Sequence, residues 1–305
     1  THVLVCTAAP GRKQEKEKEM STSIRGVRGG RRRTVSCEYP SGARYDGQCR
    51  AGDRDGYGVF RYPSGDVYEG QWRLGQPHGQ GRLCEQTTHD SNGHYRFSDY
   101  TGEWNEGMRH GEGRLVQWTS PSPILLNVTG CKGGEAWVEV AVYEGSFFDD
   151  EFQGNGTLVV TRTRPHQGSH CVETTTRYTG EFKAGAYSGV GEVRNDEGRY
   201  EGRFAEGLRH GYGKLTTSDG EEWSGVWQKG ELIFGIESTS RRVQTSAFGL
   251  PVQCERVHAV TSHLLEYLSE QAESGKLAEN QYLELANRLM LLYKASQELE
   301  PSPGQ

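Results

Sequence analysis

The feature that most constrains this chain is a frame of glycines and aromatics that returns with a period near 23 residues. Six full copies are present. They read YDGQCRAGDRDGYGVF from Tyr45, YEGQWRLGQPHGQGRL from Tyr68, YTGEWNEGMRHGEGRL from Tyr100, YEGSFFDDEFQGNGTL from Tyr143, YTGEFKAGAYSGVGEV from Tyr178 and YEGRFAEGLRHGYGKL from Tyr200. A half copy, WSGVWQKGELIF, follows from Trp223, and residues 34–44 (TVSCEYPSGAR) match the second half of a unit.

Each unit reads Y-x-G-x-[FW]-x-x-G-x-x-x-G-x-G-x-[LVF]. Side chains alternate between the faces of a strand, so the Tyr, the first Gly and the second aromatic share one face. The two glycines of G-x-G are expected to share a face of the returning strand. With no side chains there, the aromatics of the first strand can lie across it, which explains glycine inside a strand it would otherwise weaken. The central Gly falls where the chain must reverse, and glycine reaches positive φ without steric penalty. The apolar residue after G-x-G (Phe60, Leu83, Leu115, Leu158, Val193, Leu215) closes a small core. One hairpin is marginal in water, but stacked copies bury their aromatics against one another. Two positions depart from the frame. Cys49 replaces the second aromatic of the first copy and Asp150 the central Gly of the fourth. Both are expected to weaken packing or turn geometry locally.

This pattern resembles the MORN repeat family over residues 34–235. The resemblance implies a mainly β fold: an elongated antiparallel sheet of stacked hairpins, six full repeats with half-repeats at both ends. It also implies a non-catalytic scaffold or adaptor that binds protein partners at a cytoskeletal or membrane-proximal site, such as a cilium or flagellum. The expected contact surface is an aromatic groove formed by Tyr68, Trp72, Tyr100, Trp104, Tyr143, Phe147, Tyr178, Phe182, Tyr200, Phe204, Trp223 and Trp227. These side chains must also build the core, so only their exposed edges are expected to bind. Grooves of this kind accept a helix or an extended peptide. A second implied function is binding of anionic phospholipid as a membrane tether. A third is a homodimer formed through the array ends or the helices.

The repeat starts are 23, 32, 43, 35 and 22 residues apart, so the second, third and fourth copies carry about 9, 20 and 12 extra residues. All of the extra length falls after G-x-G-x-L, in long links at 84–99, 116–142 and 159–177. Their β-branched residues around glycine-containing turns read as three extended hairpins on one edge of the sheet, with disordered inserts as the other reading.

The glycine frame stops near Gly235, and residues 236–250 read as a linker. A helical hairpin is expected over 251–300. Val257, Val260, Leu264, Leu268 and Ala272 mark the first helix, with a stop at Ser274-Gly275. Tyr282, Leu285, Ala286, Leu289, Leu292 and Tyr293 mark the second, which ends before Pro301. Such a pair either caps the open edge strand of the sheet or serves docking or dimerisation.

No GxSxG elbow, HExxH or phosphate loop occurs. The 70 or so residues after the array are too few for an appended kinase or methyltransferase domain. An enzyme is not expected, and neither is a cofactor. His78, His110 and His210 share one repeat position, but neighbouring hairpins stand about 10 Å apart, too far to share an ion, so no metal site is expected.

Residues 1–33 hold nine Lys/Arg against three Glu, while the rest of the chain carries a net charge of −12. An acidic body with a basic arm is unlike a dedicated nucleic-acid domain, so no specific nucleic acid is expected. The arm is expected to be disordered. Arg25, Arg28, Arg31, Arg32 and Arg33 either attract anions or form a solvated tail. Val3 to Ala9 is too short and lacks the basic leader of a signal peptide. Residues 1–19 read as an upstream extension or as part of a leader. The seven cysteines are nowhere closer than 12 residues, which fits free thiols in a cytoplasmic setting.

Overall fold

A computed structural model describes residues 30–87, 95–120, 138–165, 171–238 and 252–298. The fold is mainly β and antiparallel, with strands ordered as they occur in the sequence and two helices after them. The chain divides into two compact units, Thr1–Ala186 and Tyr187–Gln305.

The first unit contains β1 (Arg33–Glu38), β2 (Arg44–Arg50), β3 (Asp53–Arg61), β4 (Val67–Arg73), β5 (Gln76–Thr87), β6 (Tyr95–Asn105), β7 (Met108–Ser120), β8 (Val138–Phe148), β9 (Glu151–Pro165) and β10 (Cys171–Lys183). Tyr45 pairs in register with Phe60 and Cys37, and the next three repeat tyrosines each pair with the closing apolar residue of their own hairpin and of a neighbour. Tyr68 lies between Phe60 and Leu83, Tyr100 between Leu83 and Leu115, and Tyr143 between Leu115 and Leu158. Two residues along, glycines face glycines. Gly47, Gly58, Gly70, Gly81, Gly102, Gly113, Gly145, Gly156 and Gly180 form one unbroken row across β2 to β10. The tyrosine rings lie along this row. A Cβ on Gly156 would come within 2.6 Å of the Tyr143 hydroxyl, closer than real atoms approach.

The two glycines of G-x-G do different jobs, contrary to the sequence expectation. Only the second lies under a tyrosine. The first, such as Gly79 at φ 67°, is left-handed and lies against the Gln71 side chain, where the register shifts between Gly70 and Trp72. It forms a β-bulge, which needs a left-handed residue and intensifies the local twist. Gln71 completes the bulge by accepting a hydrogen bond from the Gln80 backbone at 3.1 Å.

Hairpin turns use two consecutive left-handed residues, as in Leu74 (49°) and Gly75 (84°). This is the turn whose twist matches that of paired strands. Successive turns are tied by backbone bonds: Gly75 donates to Arg54, Gly107 to Pro77 and Gly185 to Phe152, each at 3.0 Å. The Asp150 departure keeps the same geometry, with Asp149 at 48° and Asp150 at 73°.

The long links continue the strand pairing. β5 and β6 stay paired to Thr87 opposite Arg96, β7 and β8 to Thr119 opposite Glu139, and β9 and β10 to Pro165 opposite Cys171. Residues 88–94, 121–137 and 166–170 of these links lie outside the described residues.

The second unit comprises β11 (Ala186–Asn195), β12 (Gly198–Ala205), β13 (Leu208–Thr217), β14 (Glu222–Gln228), β15 (Glu231–Ser238), α1 (Val252–Glu273) and α2 (Glu279–Glu298). It repeats the same frame, with Tyr200 between Val193 and Leu215 and a row of Gly191, Gly202, Gly213, Gly225 and Gly235. Residues 239–251 of the expected linker lie outside the described residues. α1 ends where expected. Gly275 is left-handed at 71°, and Lys276 N–H returns to the Gln271 carbonyl at 3.0 Å. At the start of α2 the Gln281 side chain accepts from the Ala278 N–H at 3.1 Å, half of a capping box.

The helices lie on a face of the sheet. Leu265 of α1 and Tyr282 and Ala286 of α2 form one buried cluster with Val226, and Tyr212, Leu268, Ala272, Leu277 and Leu289 pack around it. Tyr212 and Val226 are register partners on β13 and β14. By strand alternation they point away from the tyrosine face. The buried stripe of α1 is Thr261, Leu265 and Ser269, whereas Leu264, expected in the core, is 42% exposed. Leu285 and Leu292 of α2 are exposed as well. The side chains of Val257, Val260 and Tyr293 lie outside the described residues.

Candidate interaction surfaces of the repeat sheet

The aromatic row is a core before it is a surface. Tyr68, Trp72, Tyr100, Trp104, Tyr143, Phe147, Tyr178, Phe182, Tyr200, Phe204 and Trp227 are all buried, while Trp223 is half-buried. Rings of the row meet one another edge-on, while Tyr143 also stacks flat on Phe152 at 3.7 Å and 10°. In the first unit the Tyr68 and Trp104 rings stand 5.2 Å apart at 89°, Tyr100 and Phe147 5.0 Å apart at 78°. In the second unit Tyr200 and Trp227 stand 5.0 Å apart at 75°. Such pairs add about 0.5–1.5 kcal/mol each beyond the area they bury.

The polar atoms of the row are used internally too. Every repeat tyrosine donates its hydroxyl to the backbone carbonyl three residues on: Tyr45 to Gln48, Tyr68 to Gln71, Tyr100 to Glu103, Tyr143 to Ser146, Tyr178 to Glu181 and Tyr200 to Arg203, at 2.6–3.1 Å. In the hairpins of Tyr45, Tyr68, Tyr100, Tyr143 and Tyr200 that carbonyl lies at the register shift of the bulge. Trp72 and Trp104 donate their indole N–H to Gly58 and Gly81 at 3.1 Å. Burial raises the pKa of Tyr45, Tyr68, Tyr100, Tyr143 and Tyr200, and it pushes Tyr187 up to about 12.

One further repeat position, nine residues after each Tyr, belongs to this core, and the sequence frame missed it. In the first unit it holds Arg54, Pro77, Arg109 and Phe152, and in the second Tyr187 and Arg209. Arg54 is 1% exposed, with its guanidinium 4.8 Å from the Phe60 centroid and 4.7 Å from that of Trp72. It donates to the Gly75 carbonyl at 3.0 and 3.3 Å and to the Tyr39 hydroxyl at 3.2 Å. Desolvation lowers its pKa. Arg109 stacks on Tyr100 and Phe147, and Arg209 on Tyr200. A planar cation on an aromatic face fills the slot that a ring fills elsewhere.

The arm arginines separate. Arg25 and Arg28 lie outside the described residues, Arg31 is exposed, and Arg33 opens β1 opposite Cys49. Arg32 donates to Asp55 at 2.6 Å, and the same buried carboxylate takes Arg50 at 3.0 Å. The repeat histidines make no cluster. His110 stacks on Phe148 with its Nδ1 3.8 Å from Asp149, and no group of three or more metal-ligating side chains occurs among the described residues.

The face opposite the tyrosines is polar along the repeat frame. Arg82 binds Asp99 and Arg114 binds Glu144 across neighbouring strands. Tyr57, 53% exposed, donates to Glu69 at 2.6 Å. Beside it an open depression of about 500 Å³ is lined by Thr34, Ser36, Asp46, Gln48, Tyr57 and Val59, with Gly47 and Gly58 on its floor. Among the described residues no helix is long and apolar enough to cross a membrane.

These features define a repeat protein built from tandem glycine- and tyrosine-framed β-hairpins. Among known families the chain matches the MORN repeat at residues 45–67, 68–84, 100–116, 143–159, 178–194 and 200–222. It therefore belongs to the MORN repeat family, and the matched segments contain no catalytic domain. No curated protein matches the chain.

Proposed function

We propose that the chain is a non-catalytic scaffold or adaptor, whose repeat sheet holds protein partners at a cytoskeletal or membrane-proximal site in the cytoplasm. The observation that carries this reading is the burial of the tyrosine row within its own sheet. Tyr68, Tyr100 and Tyr143 are each at most 1% exposed, packed by the rings and glycines of adjacent hairpins. A sheet that buries its aromatics this way is stiff, and its remaining surface is regularly spaced and open to other molecules. The partner meets that surface at the half-buried Trp223 and at the rims of the aromatic row.

Proximity labelling from the full chain in cells, followed by direct binding of the labelled proteins to purified chain, tests this reading. The expected result is a set of cytoskeletal or membrane-proximal proteins, at least one of which binds directly. Flotation with anionic liposomes by a chain lacking residues 1–33, at physiological salt and without any direct protein partner, would replace the scaffold with a lipid tether.

A further inference from the structure

Within the first unit the two faces exchange character where the repeats are extended. Along the repeat frame the apolar side chains lie on the tyrosine face. One step beyond the tyrosine row, register places Val116, Val142 and Val159 side by side on the opposite face. The next row holds Phe97, Trp118 and Val140, with the Phe97 and Trp118 rings 4.9 Å apart. Between these two rows the tyrosine face carries Ser98, Gln117, Ala141 and Val160, and one step beyond the second row it turns polar: Arg96, Thr119, Glu139 and Arg162 are successive register neighbours there, and Arg162 donates to Glu139 at 2.5 Å. Val116 is buried by its neighbours, while the other five apolar side chains are half-buried. An apolar strip across β6 to β9 thus stands on a face where the repeat frame carries ion pairs such as Arg82 with Asp99 and Arg114 with Glu144.

We propose that this strip is the docking surface for one amphipathic helix of a protein partner. The inference rests on the protein-binding reading above and adds a surface and a partner class to it. Size favours a helix. The three gaps between four strands at ~4.8 Å spacing span about 14 Å, the length of a helix of about ten residues, and a helix about 10 Å wide covers two rows of side chains. A face-to-face pairing of two copies needs about 800 Å² from each, more than five half-buried side chains supply. Charge sets a direction. Arg177 is exposed beside Val159 at one end of the strip. At the other end Asp99, beside Val116, is already held by Arg82. The helix therefore carries a carboxylate at its Arg177 end. The chain's own second unit shows the same chemistry, since there the face opposite the tyrosines bears Tyr212 and Val226 and is covered by helices through Leu265, Tyr282 and Ala286.

The test uses the full chain and a synthetic peptide of about 18 residues made of Leu, Ala, Lys and Glu, with leucines at helical spacing and glutamates at one end. A scrambled peptide of the same composition is the control. The ordered peptide is expected to bind and to gain helical circular dichroism. Val142→Lys is expected to weaken binding about tenfold or more, a loss readable by calorimetry. The double variant Val140→Thr and Val142→Thr keeps β-branched strand residues and should weaken binding in the same direction if the lysine variant misfolds. Equal binding of the scrambled peptide overturns the proposal. Loss of binding with Leu292→Lys but not with the strip variants assigns the peptide to the exposed helices and overturns it too. So does a wild-type dimer that Val142→Lys turns into a monomer. A partner found by proximity labelling that binds the strip variants normally sinks this inference while leaving the scaffold reading intact.

Discussion

Arg109 grips Asp150 from both ends. Its backbone N–H and its Nε both donate to the Asp150 carboxylate at 2.9 and 3.2 Å, its Nη2 donates to the Asp150 carbonyl at 3.0 Å, and the Asp150 N–H returns to the Arg109 carbonyl at 3.0 Å. The other repeats have glycine at this left-handed position, so here a side-chain clamp takes over the work of glycine. Asp150→Ala keeps the left-handed backbone and loses the clamp. It should lower stability by about 2 kcal/mol, read from the denaturant midpoint. Asp150→Gly removes the backbone strain along with the clamp and should lower it by less. Equal losses for the two would show that the clamp, not the backbone, decides.

The glycine row makes a second ordering testable. Tyr100→Phe removes one hydroxyl bond to the Glu103 carbonyl and should lower stability by about 1 kcal/mol. Gly113→Ala places a methyl 2.5 Å from the Tyr100 hydroxyl and 2.6 Å from its ring, in a row where glycine faces glycine. It should cost about 3 kcal/mol, because overpacking forces the ring off its site. A Gly113→Ala variant no weaker than Tyr100→Phe would mean that the rings are not held against the row.

How much of this was legible in sequence follows from which atoms fix each feature. The tyrosine and central-glycine positions were readable because burial and a turn demand those residue types. The bulge at Gly79 was not, because G-x-G reads as plain strand until the register shift is known. On α1, Leu268 and Ala272 pack around the buried cluster as the spacing predicts, but the fully buried stripe includes Thr261 and Ser269, whose polarity hid it beside the exposed Leu264. Arg54 was missed because a buried arginine without a carboxylate looks like a surface charge in sequence. The exchange of faces did leave a trace. Leu115-Val116, Val142-Tyr143 and Leu158-Val159 are adjacent apolar pairs, which in a strand must serve both faces. Most of the aromatic residues named as a groove proved to be buried, because the same side chains must make each hairpin's core.

Arg54 distinguishes stacking from charge. Arg54→Lys keeps a buried cation but loses the flat stack on Phe60 and Trp72 and the paired bonds to Gly75. Arg54→Met removes the charge and fills the slot with an apolar chain. The lysine variant is expected to be the weaker, by about 3 kcal/mol relative to wild type, with methionine losing about half as much. A lysine variant as stable as wild type would show that the slot needs only a positive charge.

In the second unit, Leu265→Ala empties the centre of the cluster that joins α1 and α2 to Val226 and Tyr212. A loss of about 2–4 kcal/mol is expected, confined to the helices and the strands they cover. Hydrogen exchange checks this. Amides of α1 and α2 should lose protection while those of β2 to β9 keep theirs, and uniform loss over the whole chain would contradict it.

Alkaline pH should unfold the array through its tyrosines. Burial pushes Tyr187 up to about 12 from 10.0, and raises Tyr68, Tyr100 and Tyr143 further. A raised pKa means that the folded chain holds a proton which the unfolded chain releases. This contribution is therefore complete below pH 10, and it is lost as pH climbs from 10 through 12 and beyond. Each such tyrosine steepens the fall, by up to about 1.4 kcal/mol per pH unit. Denaturant midpoints measured at rising pH should stay level to pH 10 and then drop steeply, with tyrosinate absorbance from the buried rings emerging only as the chain unfolds. Ionisation of these rings near pH 10 with strand circular dichroism unchanged would show that the tyrosine row is open to water.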